Sequence, residues 1–315
     1  MSDPKPQPSE PTVAQIAAMI GVLGDDRGPL QESARKRLLA WGELAVPQLR
    51  EGAEAEHMST RTRCRSLLRA IEVRAVLRRF GELQLDQIGR ASAPGLLEGA
   101  VLAARMVRTF VPETRSLAAQ LRREAGSLRR ECDGRSLPTC ARLLAERLHD
   151  QLGLTGCDAD QLDVDHVQLV QELFERDDIE RDDIDRELID RVLIDRVMAS
   201  KVGAPIALSL IYLLVARWAG LSAAGVALPD HFLVRLHGPR PLLLDPFHGG
   251  RVVTKADCAR YLRSNGYDRV REHLRDLNDR EVLIRYLRSL RAANRRSAPD
   301  AHATLGEALD LLETS

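Results

Sequence analysis

Between Val202 and Ala216 the chain carries no charged side chain, and the run closes on Arg217. It reaches only half to three-quarters of the roughly 20 apolar residues that a bilayer-spanning helix needs. Gly203-Ala204-Pro205 opens it and Gly220 comes after it, which predicts a helix over Ile206 to Ala219 with proline in its first turn. A helix that is apolar all round has no face to give to water, so other elements must cover it on every side. The chain is therefore expected to build its core around this segment.

The residues after the run have the period of strands. Ala223 to Leu228 reads as one strand, and Phe232, Val234 and Leu236 alternate with His231, Leu233 and Arg235 in a second. Gly238-Pro239 turns the chain, and Pro241 to Leu244 gives a further strand that ends in Asp245-Pro246. A hairpin packed on a buried helix is the expected core. The eleven aromatic residues are few for 315, so Leu, Ala, Val and Ile must fill that core.

The rest of the chain reads as helices. Residues 1–11 are polar and proline-rich and are expected to be a disordered tail; they lack the basic-then-apolar pattern of a signal peptide. Over 12–88, Val13, Ile16, Met19, Ile20 and Leu23 share a helix face with Thr12 as candidate N-cap. Leu30, Ala34, Leu38 and Trp41 form a second stripe, and a longer helical pattern runs from near Thr60 to Phe80. Helix, Asp-Asp turn, helix and then Gly42 to Leu49, with Ala45-Val46-Pro47, resembles a bacterial HEAT repeat, though an ordinary helical hairpin reads nearly as well. About one and a half such units are visible, too few to stand alone, so the segment is expected to dock on the remainder of the chain. Within 176–200 arginine recurs every five residues, at 176, 181, 186, 191 and 196, with Ile179, Ile184, Ile189 and Ile194 in step. Five residues is about 500° of helix, so these isoleucines rotate around the axis, as expected of a repeat expansion within a helical connector. Leu188 to Met198 is apolar enough to pack. Residues 254–315 are helical, broken at Gly266 and at Ser297-Ala298-Pro299.

Three separated blocks carry a family resemblance. Gly203, Pro205, Ile206, Leu208, Ser209 and Tyr212 form the first, continued by Ala216, Arg217, Gly220 and Leu221. Pro229, His231, Phe232, Leu233, Val234 and Arg235 form the second; Asp245, Pro246, Phe247, Gly249 and Gly250 form the third. Together they resemble the SirB1-type branch of the transglutaminase-like superfamily, also called transglutaminase-like core 2, over roughly residues 90–312. The resemblance implies an α+β, predominantly helical fold with a degenerate transglutaminase-like (papain-like) core and a small antiparallel sheet over 89–253. Short tetratricopeptide-like helices would come after it.

In active members of that superfamily a cysteine thiolate at a helix N-terminus attacks an amide carbonyl. A histidine on a strand takes its proton, and an aspartate on the next strand holds the imidazole. The resemblance puts His231 and Asp245 in the last two places and the nucleophile at about Pro205. No cysteine lies between Cys157 and Cys258, so the triad is incomplete. Ser209 is the displaced-nucleophile candidate, but it lies one turn on, roughly 6 Å along the axis. Bonding of its hydroxyl to a carbonyl one turn earlier is the simpler expectation. Delivery of Cys157 or Cys258 by the fold is the remaining route to a thiol. Asp230 stands where the family pattern has glycine, beside His231, and would favour a protonated imidazole if the two side chains meet.

Pro205, Tyr212, Asp230, His231, Arg235 and Phe247 are the candidates for lining a pocket. Asp230, His231, Asp245 and His248 are all legitimate metal ligands. Neighbouring strand residues point to opposite faces, however, so no metal or other cofactor is assigned. Lysine and arginine number 46 and aspartate and glutamate 46, and the basic clusters at Arg122-Arg123, Arg129-Arg130 and Arg285 to Arg296 lack interleaved aromatics. That balance argues against nucleic acid as a partner and reads as solvated faces. The five cysteines form no CxxC, which argues against a zinc knuckle. The expectation is a non-catalytic cytoplasmic module that binds or regulates a protein, with no membrane role. The competing reading is a cysteine- or serine-type amide hydrolase or transamidase built on His231 and Asp245.

Overall fold

The computed structural model describes residues 10–24, 28–85, 93–108, 111, 114–157, 181–229 and 231–314. Residues 1–9 of the tail expected over 1–11, and 176–180 of the repeat expected over 176–200, lie outside these residues. The chain divides into two compact units, Met1–Arg78 and Arg79–Ser315.

In the first unit, helices Val13–Gly24, Gly28–Trp41 and Val46–Gly52 lead into Met58–Gly81. Thr12 caps the first helix: its hydroxyl accepts from the Gln15 amide at 3.2 Å, and Gln15 Oε1 accepts from the Thr12 amide at 2.9 Å. This reciprocal pair satisfies two backbone donors that a bare helix end would leave open. Ile16, Ile20 and Leu23 join Leu38, Leu49, Leu67 and Ile71 in one apolar cluster. Leu30, expected on the buried stripe, is half-exposed; Ala34 and Leu38 are the buried residues of its helix, and Trp41 packs on the cluster from the same helix.

The second unit is organised around the helix Pro205–Trp218. Every residue from Ile206 to Arg217 is buried. Thr114–Cys132, Ala93–Val107, Ile194–Ser200 and Asp279–Ala293 pack on it, together with two strands and the turn Pro246–His248. Burial of each Leu or Ile of this helix contributes about 1.5–3 kcal/mol, so the all-round apolar surface is what assembles the shell. Arg217 is the charge that ends the run, and it is buried too. Its Nε donates to the Ala223 carbonyl at 3.0 Å and its guanidinium meets Asp279 at 2.6 Å, with both side chains fully buried. Asp279 stands in the first turn of a helix capped by Asn278 and Glu281, so one buried ion pair ties the end of the central helix to the start of another.

A two-residue parallel pair, β1 (Thr155–Gly156) and β2 (Val202–Gly203), precedes the central helix. The main sheet holds strands β3 (Ala223–Leu228), β4 (His231–Leu236), β5 (Leu242–Asp245) and β6 (Arg251–Val253), antiparallel in that order. Neither the parallel pair nor β6 is marked in the sequence by alternation, since each strand is only two or three residues long. The repeat region is helical from Arg181 to Val192 and again from Ile194 to Ser200, with a break at Leu193, which is extended. The break resolves the rotation expected of the isoleucines: Ile189, Val192, Leu193, Ile194, Val197 and Met198 are all buried. The architecture is mostly helical with a small antiparallel sheet, and helices flank that sheet. No helix among the described residues is long and apolar enough to cross a membrane.

Loss of one partner of the Arg217–Asp279 pair leaves the other charge buried without compensation. Asp279→Ala is expected to destabilise the chain by about 3–5 kcal/mol, read from chemical unfolding curves. A change of less than about 1 kcal/mol would mean that the pair is not the clamp between these two helices.

Candidate functional site

The site lies where the N-terminal half of the central helix meets the start of β4, the end of β5 and the turn after it. Pro205 occupies the first turn of the helix, with Ala204 as an extended N-cap that supplies no side-chain bond. On a 3.6-residue period Pro205, Ser209 and Tyr212 share one face. The turn Pro246–His248 packs on this helix. Gly250 makes the approach possible: it is in the left-handed region at φ 71°, and a Cβ there would come within 2.1 Å of the Tyr212 hydroxyl.

Asp245 is the hub. It is 2% exposed, and its two oxygens gather polar groups from both histidines and from Arg251. Oδ1 bonds His231 Nε2 at 3.0 Å and accepts from the His248 amide at 3.3 Å. Oδ2 bonds His248 Nδ1 at 2.7 Å and accepts from Arg251 Nε and Nη2 at 3.3 and 3.2 Å. Burial pushes the carboxyl up, but hydrogen bonds and charge from His231 and His248 outweigh that and hold it well below the usual carboxylate range. An ionised carboxylate only accepts, so the bonded nitrogen of each ring carries its proton. His231 Nδ1 has no hydrogen-bond partner among the described residues. Phe247 stands edge-on to both rings, at 6.1 Å and 86° from His231 and 5.0 Å and 89° from His248.

Such a pair can act as a general base only if a nucleophile meets Nδ1. Ser209 does not. It is fully buried and its hydroxyl donates to the Phe232 carbonyl at 2.9 Å, across to β4 rather than back along its own helix. The carbonyl expected as its partner, one turn earlier, loses to the strand that packs against this face. Cys157 is brought close to the helix start, because its amide donates to the Gly203 carbonyl at 3.3 Å. Its neighbour Gly156, however, faces Phe247, where a Cβ would lie 2.5 Å from the carbonyl oxygen. Alternation therefore turns the Cys157 side chain the other way, where it meets Arg191. Cys258 packs among Val226, Leu233, Leu243 and Leu262, and burial pushes its thiol up. The Cys140 thiol donates to the Cys132 carbonyl at 3.7 Å, and burial, with Cys140 alongside, pushes the Cys132 thiol up to about 12. Cys64 belongs to the core of the first unit.

Of the candidate pocket residues, His231 and Phe247 are brought together beside Asp245, with Pro205 and Tyr212 on the helix face behind. Arg235 is not: it lies four residues along β4, roughly 13 Å away. There it is held by Asp276 and by the Leu274 carbonyl at 2.7 Å. Asp230 lies outside the described residues. His231, Asp245 and His248 do converge, with one ligand atom from each within 4.8 Å of the others. Strand alternation does not keep them apart, because His248 sits on the turn after β5 and not on a strand.

His149 joins the site from a segment with no motif. It lies in a π-helical turn, Glu146–Gln151, whose extra residue per turn shifts it out of the ordinary helical register. Its Nδ1 donates to the Leu154 carbonyl at 2.5 Å, and its ring stands 5.6 Å from that of Tyr212. Burial lowers its pKa, so the ring is neutral, and its Nε2 and the Tyr212 hydroxyl are buried without a partner among the described residues. Asp245 acts electrostatically on both. No motif or regular helical spacing in the sequence points to it.

Comparison with known proteins agrees with this architecture. A stretch of 97 residues is 37% identical to the UPF0162 protein of Xylella fastidiosa (strain 9a5c), covering 29% of this chain and 34% of the relative. The UPF0162 protein of strain Temecula1 / ATCC 700964 is 36% identical over the same length, with the same shares covered. The chain thus spans about a third of the length of the curated relatives it matches. No solved structure matches. Residues 111–288, more than half of the chain, match the transglutaminase-like superfamily and enclose the central helix, the four-stranded sheet and the Asp245 cluster. The chain belongs to the transglutaminase-like superfamily.

Proposed function

We propose that this protein is a non-catalytic, SirB1-type transglutaminase-like module that works by binding a protein partner. The observation that supports this most is the bond from the Ser209 hydroxyl to the Phe232 carbonyl, with proline at the helix start where the superfamily's nucleophile belongs. A hydroxyl that is fully buried and already donating cannot be turned to a base without breaking a satisfied contact. On this reading His231 and Asp245 are architecture: the imidazole satisfies a buried carboxylate and pins the start of β4 to the end of β5. The helices that flank the sheet would supply the binding surface, and the cytoplasm is the compartment proposed for it.

One observation favours the enzyme reading. The His231 side chain is partly exposed, and its Nδ1 has no partner among the described residues, as a general base requires. The two readings separate on variants of the full chain, assayed with a glutamine-containing peptide and a primary amine. We expect no ammonia release above background from the wild-type protein. His231→Ala is expected to lower stability by about 1–3 kcal/mol, because Asp245 then loses a buried hydrogen bond. Turnover that His231→Ala abolishes with unchanged melting would overturn the proposal.

Ser209→Ala tests the carrying observation itself. It should cost about 1 kcal/mol of stability, the worth of one buried neutral hydrogen bond, measured by denaturant unfolding. Loss of a measured amidase or transamidase activity in this variant, with stability intact, would give Ser209 a part in a reaction instead.

A further inference from the structure

We propose that His231, Asp245 and His248 bind a borderline divalent transition-metal ion, for which zinc is the probe. The inference goes beyond the function above and does not depend on it. The donor set is two imidazoles and one carboxylate, a combination that suits zinc and its first-row neighbours and not the oxygen-seeking magnesium or calcium. Each imidazole nitrogen stands from one carboxylate oxygen at a distance that two ligands of one ion could keep. Asp245 Oδ1 lies 3.0 Å from His231 Nε2, and Oδ2 lies 2.7 Å from His248 Nδ1. For metal bonds of about 2.0–2.2 Å, ligand atoms at right angles stand about 3 Å apart and tetrahedral ones about 3.4 Å. All three donors fall within 4.8 Å of one another.

To accept an ion, both rings have to change tautomer. Each has to shift its proton to its other nitrogen, Nδ1 of His231 and Nε2 of His248. Neither nitrogen has a hydrogen-bond partner among the described residues, so each can take up the proton without displacing another group. Phe247 holds both ring planes from the side. Three protein ligands would leave a fourth position for water, and the His248 side chain is 42% exposed.

Arg251 is the group that opposes the ion. Its guanidinium sits on Asp245 Oδ2 and supplies the positive charge that a metal would supply. The arginine side chain is 60% exposed, so it can swing into water when an ion takes its place. The site is thus a competition between a tethered cation and a soluble one, and removing Arg251 should favour the soluble one.

The test is a zinc titration of the full chain, stripped with a chelator, against a chromophoric competitor near neutral pH. We expect one ion per chain. His248→Ala, an exposed position whose folding is checked by circular dichroism, should weaken binding at least ~10-fold. Arg251→Ala should bind zinc as tightly as the wild type or more tightly. Cobalt in place of zinc should show no thiolate charge-transfer band. Undetectable zinc binding, an unchanged affinity in His248→Ala, a loss of binding in Arg251→Ala or a cobalt–thiolate band would each overturn the proposal.

Discussion

A helix that has no side to expose dictates the rest of the second unit. From Ile206 to Arg217 each residue is buried, so strands, flanking helices and a turn must all meet the same cylinder. This constraint acts differently at the two ends. At the C-terminal end the chain meets its first charge, Arg217, which is buried and therefore requires Asp279. At the N-terminal end small residues and glycines let other backbone come close: Ser209 reaches the Phe232 carbonyl, and Gly250 admits the Tyr212 hydroxyl. The close approach of β4 and of the turn after β5 at this end is what creates the site.

Once Asp245 is buried there, electrostatics dictates its surroundings. A desolvated carboxylate without partners costs several kcal/mol or takes up a proton. Here two imidazoles, a guanidinium and a backbone amide converge on it. His248 is doubly used, since its amide is capped by the same carboxylate that its ring bonds. The cluster is hence a hydrogen-bonded corner that would stand without any reaction taking place in it. The presence of a His–Asp pair is therefore weak evidence of catalysis, and the fate of the nucleophile position weighs more.

Much of the fold is legible in the sequence because its signals are local. The uncharged run and its glycine and proline boundaries mark the central helix to within a residue at each end. The alternation of Phe232, Val234 and Leu236 marks β4, and Asp245-Pro246 marks the end of β5. Other features have no local signal. The parallel pair at Thr155 and Val202 depends on backbone from distant segments, and β6 is too short to alternate. In the site, the three-block resemblance points to His231 and Asp245 but not to their neighbours. Arg251 stands one residue past the third block and carries no motif of its own; only the pairing of β5 with β6 sets it opposite Asp245. His149 arrives through a π-helical turn that periodicity does not reveal. Ser209 is legible as a helix-face residue, yet its partner is a strand carbonyl that only tertiary packing supplies.

The same donors can serve a structural corner or an ion, and the difference lies in what neutralises Asp245. With Arg251 in place the carboxylate has a counter-charge that never leaves the chain, so the fold does not depend on a metal. That charge is also the least secure of the partners, because it is the most exposed and reaches in from the sheet's last strand. His231 and His248, by contrast, are fixed by the strand, the turn and Phe247. A site with anchored imidazoles and a displaceable cation favours exchange of the cation over loss of the donors. On the non-catalytic reading, that exchange is a use that the geometry of the corner permits.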